Sequence, residues 1–355
     1  MLAYSIKLST GELRSFNRRK FLKCTLGGGA GFAMARSAQN AAAQAPLSQA
    51  ERNKAVVRRF KESQGTKDEA AVMREIMSPN YKRARAGVEN LANNARDQGF
   101  PSPGPGLRDA FPDRADFIED MIAEDDRVGM LWRLTGTQRG NFLGIPPTGK
   151  KIDIHEIGFF RVADGKITDG WFMADEAGLL KQLGAQLPPR KDGKLIAPPV
   201  TDAGEDGDVV LQRLLAKPPV SHEDRNKIII ARSKSSTPLK EDRAPNHQQR
   251  RLGLQHLRDY ATAHGVAQFT PTTAFPGRND RITGLSAEGE KVWMQFNLRG
   301  THAASLYGFA PTGRRVEMPE VGIMRVVDGK WVESWYFGDE LGMLLQLGAV
   351  HMLDG

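Results

Sequence analysis

Two aspartates stand at the same place in two similar segments, and each could act as a general acid or base. Asp175 ends the segment WFMAD and Asp339 ends the segment WYFGD. Side chains alternate between the two faces of a strand, so each aspartate shares a face with large apolar residues. The neighbours on those faces are Trp171, Met173, Trp335 and Phe337. Burial there would raise a carboxyl pKa toward neutrality, which suits acid/base catalysis, and would make the four neighbours pocket walls.

A structural role is an equally direct interpretation of the same aspartates. Each precedes a short apolar stretch with helical character, EAGLLKQLG after Asp175 and ELGMLLQLG after Asp339. Aspartate is a preferred N-cap residue because its side chain accepts hydrogen bonds from the free N–H groups of the first helical turn. Capping and catalysis can coexist, so both hypotheses stay open at this stage.

The two segments belong to a long internal repeat. Residues 164–185 resemble residues 328–349, and an offset of 164 relates Trp171 to Trp335 and Asp175 to Asp339. The period exceeds the 20 to 50 residues of solenoids and propellers, so it indicates two globular domains in tandem. The 355 residues have room for both. We predict domains over 47–187 and 209–350, joined by a linker at 188–208 that is rich in proline, glycine and acidic residues.

Within each copy the pattern changes from helical to extended. In the first domain, helical spacing over the residues that follow Leu47 gives way to alternating apolar residues from Phe117 onward. A turn at Asp125-Asp126 and an Asp164-Gly165 turn predict two hairpins. The order indicates an α+β fold in which N-terminal helices cover an antiparallel sheet.

The N-terminal segment is organised as an export signal. Arg18 and Arg19 lie in NRRKFLK, which resembles the twin-arginine signature and precedes a short, glycine-rich apolar run. Ala41 and Ala43 fit an A-x-A cleavage site. We therefore predict that residues 1–45 are an export signal and tail, cleaved near Ala43, and that the mature protein is periplasmic or secreted. The apolar run is too short for a stable membrane anchor.

Charge and cysteine content argue against several other functions. Residues 1–43 carry seven basic residues and one acidic residue, which leaves +2 of the formal charge of +8 for the remaining chain. That balance gives no support to nucleic-acid binding. Cys24, the single cysteine, lies in the signal. Neither an HxxxH nor an HExxH pair occurs, so we predict no metal site and no cofactor.

A family resemblance rests on several motifs with their order and spacing. The segment from Gly136 to Gly184, preceded by AFPD and AEDDRV, resembles the SnoaL-like polyketide (ester) cyclase family of the nuclear transport factor 2-like superfamily. The motifs are FPD, GT, GxFxG, PPTG, DGK, W and DxxGL. The resemblance covers nearly all of the first copy and, more loosely, the second. It implies two tandem cone-shaped domains, each a curved antiparallel sheet with helices folded over an apolar pocket.

The resemblance also implies a chemistry. In polyketide cyclases of this family a pocket aspartate serves as the acid/base of an intramolecular aldol ring closure, without metal or organic cofactor. That aspartate matches Asp175 and Asp339. His302, in Gly300-Thr301-His302, matches a GTH motif and is expected in the pocket of the second copy. A histidine that relatives carry near the pocket is replaced by Ala84 and by Arg250.

The sequence thus predicts an exported, cofactor-independent protein that binds a small, apolar carbonyl compound and performs cyclisation or isomerisation with Asp175 and Asp339. The alternative is a non-catalytic ligand-binding or interaction module on the same fold, which the replaced histidine favours. Single-domain relatives pair through the open sheet face, so we expect the two domains to pair within the chain, with a homodimer as the other possibility.

Overall fold

The computed structural model describes residues 47–86, 88–99, 106–187, 190–251, 253–266 and 271–353. The predicted export signal, with Arg18 and Arg19, lies outside these residues. From Pro46 to Gly355 the chain forms one compact unit that contains both copies of the repeat. No helix in the described ranges is both long enough and apolar enough to cross a membrane.

The first copy contains five helices and five strands in the described residues. In chain order they are α1 (Gln49–Ser63), α2 (Glu69–Ile76), β1 (Met77–Arg85), α3 (Glu89–Asp97), α4 (Gly106–Ala110), β2 (Ala115–Glu124), β3 (Arg127–Thr137), β4 (Lys151–Ala163), β5 (Lys166–Ala174) and α5 (Glu176–Leu183). Ser48 caps α1 by accepting a hydrogen bond from the Glu51 backbone N–H.

The second copy follows after a segment that has no helix or strand in its described part between Leu183 and Gly207. Its elements are α6 (Gly207–Leu215), α7 (His222–Arg232), β6 (Arg243–Arg251), α8 (Gly253–Ala263), α9 (Pro271–Ala274), β7 (Asn279–Glu288), β8 (Lys291–Thr301), β9 (Arg315–Val327), β10 (Lys330–Gly338) and α10 (Glu340–Leu347). Short 3₁₀ turns lie at Lys240–Asp242 and Val350–Leu353.

Each copy has one five-stranded sheet, ordered β1-β5-β4-β3-β2 in the first and β6-β10-β9-β8-β7 in the second. The prediction of two tandem α+β units is confirmed. The sheets are mixed, however, because β1 runs parallel to β5 and β6 runs parallel to β10. A hairpin forces antiparallel pairing, whereas β1 is distant from β5 in the chain and is free to pair in parallel. The sequence predicted only the hairpin strands, so the parallel edge strand corrects the expected antiparallel sheet.

The hairpin turns form where the sequence places Asp-Gly. Asp164 and Gly165 have φ of 51° and 73°, and Asp328 and Gly329 have φ of 48° and 71°. Two consecutive positive φ values define the type I′ turn that matches the twist of paired strands. These turns join β4 to β5 and β9 to β10. The strands β5 and β10 end directly before the two aspartates.

One face of each sheet is covered by helices of its own copy. In the first copy, Val57 and Phe60 of α1 pack on Trp132, Phe160 and Phe172 of the sheet. In the second, α7 packs in the same way on its own sheet, with Ile230 against a cluster that includes Phe296 and Tyr336.

The opposite faces of the two sheets pack against each other. This interdomain core contains Ile122, Leu131, Ile157 and Met173 from the first copy and Trp293, Val321 and Phe337 from the second. A second shared cluster joins α3 and α5 to α8 and α10, with Leu91 and Leu179 beside Leu257 and Leu344. The copies are therefore held together by apolar packing at both the sheets and the helices.

Candidate functional site

Asp175 and Asp339 begin the helices α5 and α10 directly after the last strand of each sheet. The Oδ1 atom of Asp175 accepts a hydrogen bond from the Gly178 backbone N–H at 2.7 Å, and that of Asp339 accepts one from Gly342 at 2.9 Å. The glycines are needed here, because an added Cβ would stand 2.1 Å and 2.3 Å from the carboxylates. Both aspartates are therefore helix caps, as one of the two sequence interpretations proposed.

Asp339 is the more enclosed of the two and is reached by a side chain from the other copy. Only 6% of Asp339 is exposed. The Nδ2 atom of Asn90 in α3 lies 2.9 Å from Asp339 Oδ1 and 2.7 Å from Glu176 Oε2. Glu176 Oε1 also accepts a hydrogen bond from the Leu91 backbone N–H at 3.0 Å. One amide thus connects two buried carboxyl groups that belong to different copies.

This arrangement shifts both carboxyl groups toward their protonated forms. Burial, followed by the neighbouring charge of Asp339, raises the pKa of Glu176 to about 8. Burial also raises the pKa of Asp339 above its ordinary value, although hydrogen bonds from Gly342 and Asn90 oppose that shift. Two close carboxyls in a low-dielectric site do not both ionise readily, so the pair retains one proton near neutral pH. Such a pair can both accept and donate a proton.

Asp175 has a related but more open environment. Its side chain is 16% exposed, and its Oδ2 atom lies 3.5 Å from His256 Nε2 of α8. His256 holds in the second copy the place of Asn90 in the first, since GVENL and GLQHL align with an offset of 166. The carboxyl partner here is Glu340, whose pKa is raised well above its ordinary value by burial, then by Asp175 and Glu320. The two aspartates therefore meet different partners across the domain junction.

A cavity of about 630 Å³ lies at the domain junction beside Asp339. Its walls come from both copies and from the segment that connects them, and they include Arg85, Asn90, Trp171, Pro198, Thr201, Phe296, Asn297, Glu317, Glu320 and Asp339. The volume falls in the range of small-molecule sites, roughly 300 to 1,000 Å³. Asp175 is not part of these walls.

Of the four predicted aromatic or apolar walls, the structure places only Trp171 at this cavity. Met173 is fully buried and Phe337 is 4% exposed, both in the interdomain core. Trp335 packs on His155 of the other copy, with ring centroids 5.0 Å apart. The strand face that carries these residues meets the other sheet, so most of it serves domain packing.

His302 lies in a packed loop and not at the cavity. It is fully buried, and its Nδ1 atom accepts a hydrogen bond from the Thr312 backbone N–H at 3.2 Å. Its ring stacks on Phe309 with centroids 5.8 Å apart. Gln138, its counterpart in the first copy, accepts the equivalent hydrogen bond from Thr148. Both residues therefore hold the same loop by different chemistry.

Each copy also contains a buried ionic network that the sequence analysis did not identify. Lys61 pairs with Asp116 at 2.9 Å and lies 4.0 Å from the Trp132 ring centroid, and burial lowers the pKa of this lysine to about 8. The second copy has Lys234 paired with Asp280, 3.7 Å from the Phe296 centroid. These ions lie between the covering helix and the sheet, where the resemblance implied an apolar pocket. Asp116 and Asp280 are related by the repeat offset of 164. This correspondence was a signal that could have indicated the two ionic networks.

Among the described residues, no group of three or more His, Cys, Asp or Glu side chains is placed to hold a metal ion. The cavity wall beside Asp339 also contains Arg85, whose guanidinium is ion-paired with the buried carboxylate of Glu156.

Several known proteins resemble this chain. It is 27% identical over 150 residues to aklanonic acid methyl ester cyclase DauD of Streptomyces sp. (strain C5). The matched residues cover 41% of the chain and 89% of that protein. It is 30% identical over 93 residues to aklanonic acid methyl ester cyclase DnrD of Streptomyces peucetius, covering 26% of the chain and 63% of that protein. A solved SnoaL-like structure from Jannaschia sp. CCS1 is 29% identical, with a TM-score of 0.32, and covers 41% of the chain and 99% of that structure.

The sequence profile of the SnoaL-like polyketide cyclases matches two separate regions, residues 55–183 and 241–347. Each region falls within one copy of the repeat and contains the last strand of the sheet and the aspartate that follows it. The chain belongs to the SnoaL-like polyketide cyclase family, of which it carries two copies in tandem.

Proposed function

We propose that this protein is a cofactor-independent acid/base catalyst that acts on a small, apolar carbonyl compound in the cavity beside Asp339. The reaction class is an aldol-type cyclisation or an isomerisation. The observation that carries the proposal is the position of Asp339 in a cavity wall of about 630 Å³, with its pKa raised by burial and with Glu176 bound to it through Asn90.

In the proposed cyclisation a single residue both removes and returns the proton. Asp339 accepts a proton from the carbon next to a carbonyl, and the electron pair released forms a carbon–carbon bond to a second carbonyl carbon of the same molecule. The resulting alkoxide then receives the proton back from Asp339. Arg85 in the same wall is ion-paired with Glu156, and in this proposal its guanidinium also stabilises the enolate and alkoxide oxygens. Glu176, protonated up to about pH 8, leaves the single negative charge of the pair on Asp339.

The proposal places catalysis at Asp339 and gives Asp175 chiefly its capping role. Asp175 is outside the walls of the Asp339 cavity, and it binds Gly178 and faces His256. The names of DauD and DnrD describe ester cyclases, which supports a cyclisation on a related class of molecule.

A non-catalytic ligand-binding module is the second candidate, and a specific observation favours it. The Oδ1 atom of Asp339 already accepts two hydrogen bonds, from the Gly342 backbone N–H and from Asn90, so this carboxyl group has a structural role of its own. In this function the cavity binds a small molecule and Asp339 holds the helix α10 in place.

Export and domain pairing complete the proposal. The NRRKFLK segment and the A-x-A site support twin-arginine export to the periplasm or beyond, with cleavage near Ala43. The apolar packing between the sheets supports an intramolecular pair that takes the place of a homodimer.

A mass-spectrometric screen for small molecules that co-purify with the protein tests the proposed function. Compounds found in this way are assayed for turnover with the wild type, Asp339→Asn and Asp175→Asn. Asparagine is itself a good N-cap, so both variants keep the cap while they lose the acid/base group. We expect turnover to fall only in Asp339→Asn. Unchanged turnover in both variants would remove the acid/base proposal, and retained binding without any turnover would favour the binding module.

A further inference from the structure

A second cavity, of about 320 Å³, lies next to the first and has a different chemistry. The two share the wall residues Trp171, Thr283 and Gln295. The second cavity is lined by four basic side chains, Lys82, Arg83, Arg127 and Arg161, and by one acidic side chain, Asp169. It is therefore the more cationic of the two.

Three of the basic residues stand in one row across the first sheet. Lys82 is paired in register with Asp169, Asp169 with Arg161, and Arg161 with Arg127. Residues paired in this way point to the same face, which here is the face toward the second copy. Arg127 and Arg161 are thus direct cross-strand neighbours, and like charges in that position are unfavourable unless an anion compensates them.

Compensation within the protein is incomplete. Arg161 pairs with Asp126 at 2.6 Å, but both side chains are 46% exposed. In the described part of the chain, neither Lys82 nor Arg127 forms an ion pair. The surplus positive charge is available to a bound anion.

The adjacent row of the same face is aromatic. Trp171 pairs in register with Phe159, and Phe159 pairs with Gly129. Trp293 of the second copy fills the space above Gly129, where an added Cβ would lie 2.6 Å from its ring. The rings of Phe159 and Trp171 lie 5.9 Å apart, as do those of Phe159 and Trp293. Trp293 is fully buried, and its indole N–H has no hydrogen-bond partner among the described residues.

The second copy lacks this combination at the equivalent positions. Its row reads Gln248, Glu333, Arg325 and Lys291. Arg325 pairs there with Glu290 and Glu333, and Lys291 pairs with Asp120. Because the charges of the second row are compensated, the cationic site is a property of the first copy alone.

We propose that this cavity, formed by the charged row Lys82, Arg127 and Arg161 beside the partly buried rings of Phe159 and Trp171, binds a planar aromatic carboxylate. Arginine and lysine bind the carboxylate through charge-assisted hydrogen bonds, and the rings contact the planar body. The proposal concerns binding only and does not depend on Asp339 acting as an acid or base.

Isothermal titration calorimetry with 2-naphthoate and its uncharged analogue 2-naphthamide tests this proposal. We expect saturable binding of 2-naphthoate that is at least about tenfold tighter than that of 2-naphthamide, since one charge-assisted contact accounts for about that factor. Equal affinities for the two compounds, or no saturable binding of 2-naphthoate, would overturn the proposal.

Two variants and one matched control locate the site. Lys82→Gln gives the first copy the residue that the second copy carries at this register, and Arg161→Gln removes the central arginine. Each is expected to weaken 2-naphthoate binding about fivefold to tenfold, because each removes one charged contact on a partly solvated surface. Arg325→Gln changes the equivalent arginine of the second copy and should leave the affinity unchanged. A loss in Arg325→Gln equal to that in Arg161→Gln would place binding elsewhere and refute the proposal.

Discussion

At the residue scale, the central feature is one amide that joins two carboxyl groups from different copies. Asn90 contacts both Glu176 and Asp339, although Asn90 and Asp339 are 249 positions apart in the chain. Sequence analysis predicted the burial of Asp339 and its capping role from strand alternation and the helix that follows. It could not predict Asn90, because no local pattern indicates a contact over that distance. It did not consider Glu176, which simply follows the capping residue.

The pair makes stability depend on pH with a defined sign. Glu176 has an ordinary pKa of 4.5 and a folded-state pKa of about 8. Its stabilising contribution is therefore complete below about pH 4.5 and is lost as the pH rises toward 8, at about 1.4 kcal/mol per pH unit for one group. We expect Glu176→Gln to reduce this decline by about that amount per pH unit. Urea unfolding of both proteins between pH 5.5 and 7.5 measures the difference, and parallel curves would contradict the assigned shift.

At the element scale, the repeated unit is a strand, an aspartate and a helix whose third residue is glycine. The Asp-Gly hairpins and the helices α5 and α10 were predictable because turn and capping preferences are local. The strand β1 was not predictable, since its sequence MSPNYKRAR contains Pro79 and its residues are mostly polar and exposed, without apolar alternation. Its place at the sheet edge depends on pairing with β5, about 90 residues later, which is a tertiary effect.

The glycine in this unit provides a test of the cap. Alanine normally favours a helix over glycine by about 1 kcal/mol. Gly178→Ala and Gly342→Ala should instead destabilise the protein by about 1 to 2 kcal/mol each, because the new methyl group displaces the capping carboxylate. We expect the larger loss at Gly342, where the carboxylate of Asp339 is buried and also bound to Asn90. A rise in the midpoint of urea unfolding for either variant would show that the cap is not essential.

At the scale of the whole molecule, the two copies are complementary and not identical. Gly129 and Trp293 occupy equivalent positions, and the indole of one copy fills the space left by the glycine of the other. The repeat itself was evident from the sequence, and the resemblance led us to expect pairing through the open sheet face. The sequence did not show which face of each strand meets the other sheet. The side chains on that face are as suitable for an interface as for a pocket, namely Trp171, Met173, Trp335 and Phe337.

Trp293 is accordingly a critical residue of the domain junction. Trp293→Ala should lower the free energy of unfolding by about 3 to 5 kcal/mol, the usual cost of removing a fully buried large aromatic side chain. Urea unfolding at pH 6 measures this change. A decrease of less than about 1 kcal/mol in the free energy of unfolding would be typical of an exposed residue. It would indicate that the copies are held together mainly by the helices.

Pairing within the chain also predicts the oligomeric state. The apolar sheet faces are already covered by each other, so we expect the protein from Pro46 onward to be monomeric. Multi-angle light scattering at several protein concentrations tests this expectation. A stable homodimer at all concentrations would contradict the proposal that pairing of the two copies within one chain replaces a homodimer.

Exchange of α-protons with solvent deuterium tests the proposed role of Asp339 most directly, because it detects proton removal from carbon whatever the later steps are. The probe is α-tetralone, an aromatic ketone, followed by proton NMR in D₂O with wild type, Asp339→Asn and Asp175→Asn. We predict exchange above the buffer rate in the wild type, a loss of about 10² to 10⁴ in Asp339→Asn, and little change in Asp175→Asn. Exchange that survives in Asp339→Asn, or that is lost only in Asp175→Asn, would contradict the assignment of the base.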